Sequence, residues 1–260
     1  MKTKVLAGLL VLILIAAAAV KVWFFPSVKD AYFAMDERSL QSAPAGLMVV
    51  RPTRFAFLRN EGVLGIMAPQ SKGKDRWIMG RNAPLADVMA AAFGQNPTRV
   101  VVPPDAPTNR YDFLVTVPAS QLPRFQAIVR RTLGYVAQME TRDAPVLALK
   151  ITNPSLPGLT VSGADEKRGV TFHNDKLQLT RFPLAVIPNG LGGAIDMPLV
   201  DETGLTNFYN FSVAWDSLTQ QRLEDKTAAR DALNRIIEPL GLKLEPDTAP
   251  LEMLVVKKAD

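Results

Sequence analysis

The strongest constraint on how this chain can fold is an internal echo. From Gly134 to Lys150 it reads GYVAQMETRDAPVLALK, and from Gly241 to Lys257 it reads GLKLEPDTAPLEMLVVK. The two tails have equal length, each follows a leucine (Leu133 and Leu240), and Thr141/Thr248, Leu147/Leu254 and Lys150/Lys257 fall in register. Upstream, Tyr111-Asp112-Phe113 is matched by Tyr209-Asn210-Phe211, and Arg81-Asn82-Ala83-Pro84-Leu85 resembles Thr180-Arg181-Phe182-Pro183-Leu184. Matches at such spacing imply one supersecondary unit used twice.

Each copy reads as a small α+β unit. Leu85, Val88, Met89 and Ala92 share one helical face, with Pro84 in the first turn, Asn82 as N-cap and Gly94 as the stop. Residues 100–102 and 111–117 are β-branched or aromatic and read as strands, and 125–133 reads as a helix closed by Gly134. Residues 136–140 and 146–151 suggest a hairpin turning at Arg142-Asp143-Ala144-Pro145. Shorter strands are expected at 47–51, 63–68 and 76–79. The second copy carries extra residues around 216–226, and Pro188, Asn189 and Gly190 should kink or shorten its first helix. The expected fold class is therefore α+β: an N-terminal transmembrane helix followed by two duplicated modules of strand-helix-strand-strand-helix-strand-strand. The expected division is 1–25 signal-anchor, 26–73 stalk and short β segment, 74–153 first module, 154–168 linker and 169–260 second module.

Residues 5–20 contain no polar side chain, and after Lys21 come Val22, Trp23, Phe24 and Phe25. If Lys21 snorkels, residues 5–25 supply the roughly 20 residues of helix that a bilayer core requires. Trp23, Phe24 and Phe25 fall where an interfacial aromatic belt lies. A cleaved signal peptide is the alternative, with an A-x-A site among Ala16, Ala17, Ala18 and Ala19. Lys2, Lys4 and the α-amino group keep the terminus inside, although Lys21 and Lys29 weaken the asymmetry. The expectation is a single-pass inner-membrane protein with its body on the periplasmic side, or a secreted one after cleavage. The formal charge is +5, of which Lys2, Lys4 and Lys21 supply three. The remainder is close to balance, so its totals give no case for a nucleic-acid partner.

Four stretches carry a family resemblance: MGRNAPLADVMAAAFG, RVVVPPDAPTNRYDFLVT, PLVDETGLTNFYNFSVAW and LGLKLEPDTAPLEMLVVKKA. Together they resemble a soil-associated bacterial family, abundant in acidobacteria, known as domain of unknown function 3738. The resemblance covers most of the chain from Leu47 onward, and the family's lack of an established activity means that it implies no role. In the order of its elements, each unit is also similar to the short amino-terminal module of secretins and of TonB-dependent transducers. That similarity implies a periplasmic module docking on a partner protein, as an analogy of fold.

The chain has no cysteine, which excludes disulfides, thiol catalysis and cysteine-ligated metal sites, and it has one histidine, His173. As a base, His173 would need a nucleophile and an orienting carboxylate, for which Ser162 and Asp175 are the nearest in sequence. A locally bonded strand-edge histidine is the simpler reading. Asn189-Gly190-Leu191-Gly192-Gly193 has glycines but lacks the spacing of a dinucleotide or P-loop fingerprint. Neighbouring acids occur at Asp36-Glu37, Asp165-Glu166, Asp201-Glu202 and Glu224-Asp225. A carboxylate-dependent hydrolase of wall or polysaccharide material would need two of them facing across a cleft. Arg51, Arg54, Phe55, Phe57 and Arg59 alternate charge with rings, fitting an exposed strand or loop facing headgroups or the wall, and Arg130-Arg131 fit the polar face of a helix. No catalytic, cofactor or metal residue is assigned. The expected function is protein–protein interaction in the envelope, as scaffold or signalling module. The alternatives are the hydrolase and a small-ligand sensor with an apolar groove.

Overall fold

The computed structural model describes residues 32–54, 60–68, 75–187, 195, 197–214 and 228–259. The expected anchor (5–25), the glycine-rich stretch 189–193, Phe55, Phe57 and Arg59, the insertion around 216–226 and the pair Glu224-Asp225 lie outside the described residues. Among the described residues, no helix is long and apolar enough to cross a membrane.

The fold is mixed α+β, with three four-stranded sheets and four α-helices among these residues. In chain order the elements are α1 (Glu37–Ser42), β1 (Met48–Pro52), β2 (Gly62–Met67), β3 (Arg76–Ala83), α2 (Leu85–Phe93), β4 (Val100–Val101), β5 (Tyr111–Val115), α3 (Leu122–Leu133) and β6 (Tyr135–Ile151). They continue with β7 (Thr160–Val161), β8 (Gly169–His173), β9 (Lys176–Pro183), β10 (Leu199–Asp201), β11 (Phe208–Ala214), α4 (Ala229–Ile237) and β12 (Leu242–Lys258). The chain divides into two compact units, one of residues 1–138 with 255–260 and the other of residues 139–254.

In the first unit, β1-β5-β3-β2 form an antiparallel sheet. On one face, α2 and α3 pack against each other, α2 also against β3 and β5, and α3 against β1. Gly80 in β3 makes room for the Phe113 ring of its cross-strand partner, which a β-carbon there would overlap. The other face carries Val49, Leu114, Met79, Trp77, Leu64 and Ile66, and the segment 32–43 covers it with Phe33, Leu40 and Ala43. Asp36 starts that cover: its carboxylate accepts from Ser39 N and Ser39 Oγ and caps α1. These bonds hold its carboxyl below the ordinary value.

In the second unit, β7-β11-β9-β8 form another antiparallel sheet whose strands appear in the same order along the chain as β1-β5-β3-β2. Its buried face, with Leu179, Phe182, Tyr209, Phe211 and Val213, joins Leu233, Ile236 and Ile237 of α4 and Leu147, Leu149, Leu242 and Leu244 in one core. Its other face is polar. Where the first sheet aligns Leu64, Met79 and Leu114 across three strands, the second aligns Thr171, Gln178 and Ser212. Where the first pairs Ile66 with Trp77, the second pairs His173 with Lys176.

The third sheet has the order β10-β6-β12-β4, with β10 running parallel to β6. Its two long strands are the echoed tails. Within the first unit, Gly134 O accepts from Ala259 N at 2.8 Å, and within the second, Gly241 O accepts from Thr152 N at 2.9 Å. Each bond joins the glycine that opens one tail to the second residue beyond the end of the other. Both glycines have positive φ, 75° and 79°, which lets each helical end reverse directly into the next strand.

Two local expectations are corrected. Residues 135–151 form one uninterrupted strand instead of a hairpin at Arg142-Asp143-Ala144-Pro145. Those four residues include no glycine or asparagine suited to a tight reversal, none has positive φ, and neighbouring strands supply partners for an extended chain. Asn82 does not cap α2. Pro84 occupies that position, and Asn82 sits at φ 52° inside β3.

Candidate functional site

The echoed Tyr-Asp/Asn-Phe triplets hold a kink in each sheet. In the first, the β3/β5 register slips between Gly80 and Ala83, Asn82 is left-handed, and its N–H donates to Asp112 Oδ1 at 3.1 Å. In the second, the β9/β11 register slips between Tyr209 and Phe211, Arg181 has φ 59°, and its N–H donates to Asn210 Oδ1 at 2.8 Å. A non-glycine residue with φ near 60° is strained, and a bulge needs a fixed partner for the amide it turns out of the ladder. The Asp or Asn side chain supplies that partner.

The surroundings of the two clips differ. Buried Asp112 also accepts from Thr53 Oγ1 at 2.8 Å and pairs with Arg51 at 3.5 Å, while the Arg51 guanidinium lies 4.7 Å from the Phe33 ring centroid. Asn210 donates instead to Glu166 Oε2 at 2.7 Å, and Ser162 Oγ donates to the same oxygen at 2.6 Å. Those two bonds, Ser162 first, hold the Glu166 carboxyl below its ordinary value. Arg181 spans back to the carbonyls of Ala164 and Glu166.

The residues singled out for chemistry are thus placed as follows. Ser162 is bonded to Glu166, away from any role with His173. His173 is exposed on the polar face of β8, and Asp175 lies with Asn174 in the two-residue turn to β9, both left-handed at φ 56° and 49°. Asp201 accepts from Thr203 N and Oγ1 in its own turn, and Glu202 lies 3.6 Å from Lys150 Nζ. Asp165, Glu166, Asp201 and Glu202 are all exposed. Arg51 faces inward onto Asp112 and Phe33, which removes it from an exposed basic surface. Arg130 and Arg131 lie exposed in the last turn of α3, where the helix dipole favours cations. Among the described residues, no group of three His, Asp or Glu side chains is placed to hold a metal ion.

Two of the open clefts among the described residues lie in the first unit. One, about 360 Å³, is bordered by Asp75, Trp77, Thr116 and Gln121. The other, about 300 Å³, lies between α2, α3 and the start of β6 and is bordered by Met89, Phe93, Gln126 and Tyr135. Neither contains the carboxylate pairs or His173.

The feature that sequence reasoning missed is the edge of the second sheet. Cross-strand pairing aligns Val170 with Leu179 and Phe211, and Phe172 with Leu177 and Val213. Leu179, Phe211 and Val213 are buried, but Val170 and Phe172 are 54% and 58% exposed. The apolar rows of the core therefore run out onto β8, which among the described residues has a partner on one side only. The short alternation Gly169-Val170-Thr171-Phe172-His173, closed by Asn174-Asp175, was the signal available for it.

Among the described residues, the α+β body thus presents an apolar strand, β8, at the edge of its second sheet. The chain belongs to the family described as Protein of unknown function (DUF3738), which matches residues 86–259. No curated protein and no solved structure matches it.

Proposed function

We propose that this chain is a membrane-anchored extracytoplasmic protein whose two duplicated α+β modules act in protein–protein interaction, as scaffold or signalling element of the envelope. The observation that carries the reading is β8: a strand edge unpaired among the described residues, with exposed Val170 and Phe172 continuing a core face. Such an edge offers backbone hydrogen bonds for affinity and alternate side chains for selection. The matching sheet orders and the repeated bulge clip support duplication. The apolar run at 5–20, behind Lys2 and Lys4, supports anchoring through residues 5–25 with the body in the periplasm. The similarity in element order to the amino-terminal modules of secretins and TonB-dependent transducers adds a docking role by analogy.

A photoreactive residue in place of Phe172, introduced into the full chain in producing cells, tests the reading. A discrete protein adduct in the membrane fraction is expected, absent when the probe replaces exposed Lys258. No adduct at Phe172, or equal labelling from both positions, rejects docking through β8. Protease digestion that reaches the body in intact cytoplasm-facing vesicles rejects the topology.

A further inference from the structure

We infer that the partner taken up by β8 is a second copy of this chain, paired antiparallel about Thr171. This inference rests on the docking reading above and names the partner of that same edge.

The register follows from backbone geometry. The β8–β9 hairpin has a two-residue turn closed by His173 and Lys176, and such a closing pair is hydrogen-bonded. Bonded pairs alternate along an antiparallel ladder, so Gly169, Thr171 and His173 spend their backbone groups on β9 while Val170 and Phe172 aim theirs outward. A two-fold axis through Thr171 sets Val170 opposite Phe172 of the second copy and Phe172 opposite its Val170. In that register, the outward amides and carbonyls of the two strands meet as bonded pairs.

The side chains are self-complementary in the same register. Val170 and Phe172 share the core face of the sheet, so two copies bring together a cluster of two valines and two phenylalanines. Gly169 faces His173 of the other copy, and an added β-carbon at Gly169 meets nothing within 4 Å, leaving room for the ring. One strand thus supplies both halves of an isologous contact.

The chain has no cysteine, so a single introduced thiol reports cleanly. Thr171 sits on the axis at a non-hydrogen-bonded position, where opposed Cα atoms lie about 4.5 Å apart, within disulfide reach. Full-length Thr171→Cys in detergent should form a disulfide-linked dimer on mild oxidation. Gln178→Cys, one strand further in on the same face of each copy, should form it about tenfold less, its thiols lying beyond the roughly 7 Å limit. Adding Val170→Pro, which removes an outward amide without touching the β9 ladder, should suppress the Thr171→Cys dimer by a similar factor. Gly169→Cys with His173→Cys should link the same register if Thr171→Cys does not fold. No dimer from any thiol in β8, equal linking by Gln178→Cys, or indifference to Val170→Pro overturns the second copy. If β8 thiols stay monomeric while the Phe172 probe captures a different envelope protein, self-pairing falls and docking stands. If neither reacts, both fall.

Discussion

Asp112 and Asn210 perform one task with different chemistry. Each accepts the amide that a left-handed residue turns out of the ladder, but anionic Asp112 also gathers Thr53 and Arg51, whereas the Asn210 amide donates onward to Glu166. Asp112→Ala strands a buried amide and leaves Arg51 without its carboxylate, so unfolding in denaturant should show a loss of about 3 kcal/mol. Asp112→Asn keeps the acceptor that suffices in the second unit and should lose about 1 kcal/mol. At this scale, the sequence displayed the paired triplets and the Asn82/Arg181 alignment. It did not display that one member of each set bonds the other, because the acceptor and the bulge lie about thirty residues apart on different strands.

Among the elements, two sheets of equal strand order differ most in their outer faces. The first unit aligns apolar side chains there and hides them beneath 32–43, where Phe33 and Leu40 are 2% and 0% exposed. That segment falls in the stretch 26–73 that reads from sequence as stalk and short β segment, since Asp36, Glu37 and Arg38 mask the spacing of Phe33 and Leu40. Leu40→Asp should lift it and wet Trp77, shifting its emission to the red in a background with Trp23→Phe and Trp215→Phe; an unshifted spectrum would show that the cover holds without Leu40. A second element-scale prediction concerns Lys150 on β6, which donates to Asp247 and lies 3.6 Å from Glu202. The hydrogen bond to Asp247 raises the Lys150 pKa, and the same bond, followed by the Thr248 amide, lowers that of Asp247. A raised lysine contributes stability below its unfolded value of 10.5 and loses it as pH rises through the folded value. A lowered aspartate contributes above 3.8 and loses it as pH falls through its own folded value. The melting-temperature gap between wild type and Lys150→Met should therefore be widest between these limits and close at both ends.

Over the whole molecule, the equal tails visible in the sequence become β6 and β12, and the bonds at Gly134 and Gly241 show why their lengths match. Each tail must reach the glycine that opens the other, so an added residue in either would shift that closing bond. What remained hidden was how far the internal likeness of the chain extends. β7 has only two residues in a proline-bearing stretch, and strands that short leave no alternation to read, so the correspondence of β7 and β8 with β1 and β2 emerges only from sheet order. Ala259→Pro deletes the amide bonded to Gly134 O and should speed hydrogen exchange at residues 135–138 while leaving exchange in α4 unchanged. Equal acceleration in α4 would mean that the two units open as one.

The division of the chain also bears on how it is made. Residues 255–259, which belong with the first unit, emerge from the ribosome only after every residue of the second. The first unit must therefore wait, its Gly134 carbonyl unmet by Ala259, while more than a hundred further residues are synthesised. A chain organised in this way cannot finish its parts in the order in which it begins them, and its growing form needs shelter from aggregation until the last strand arrives.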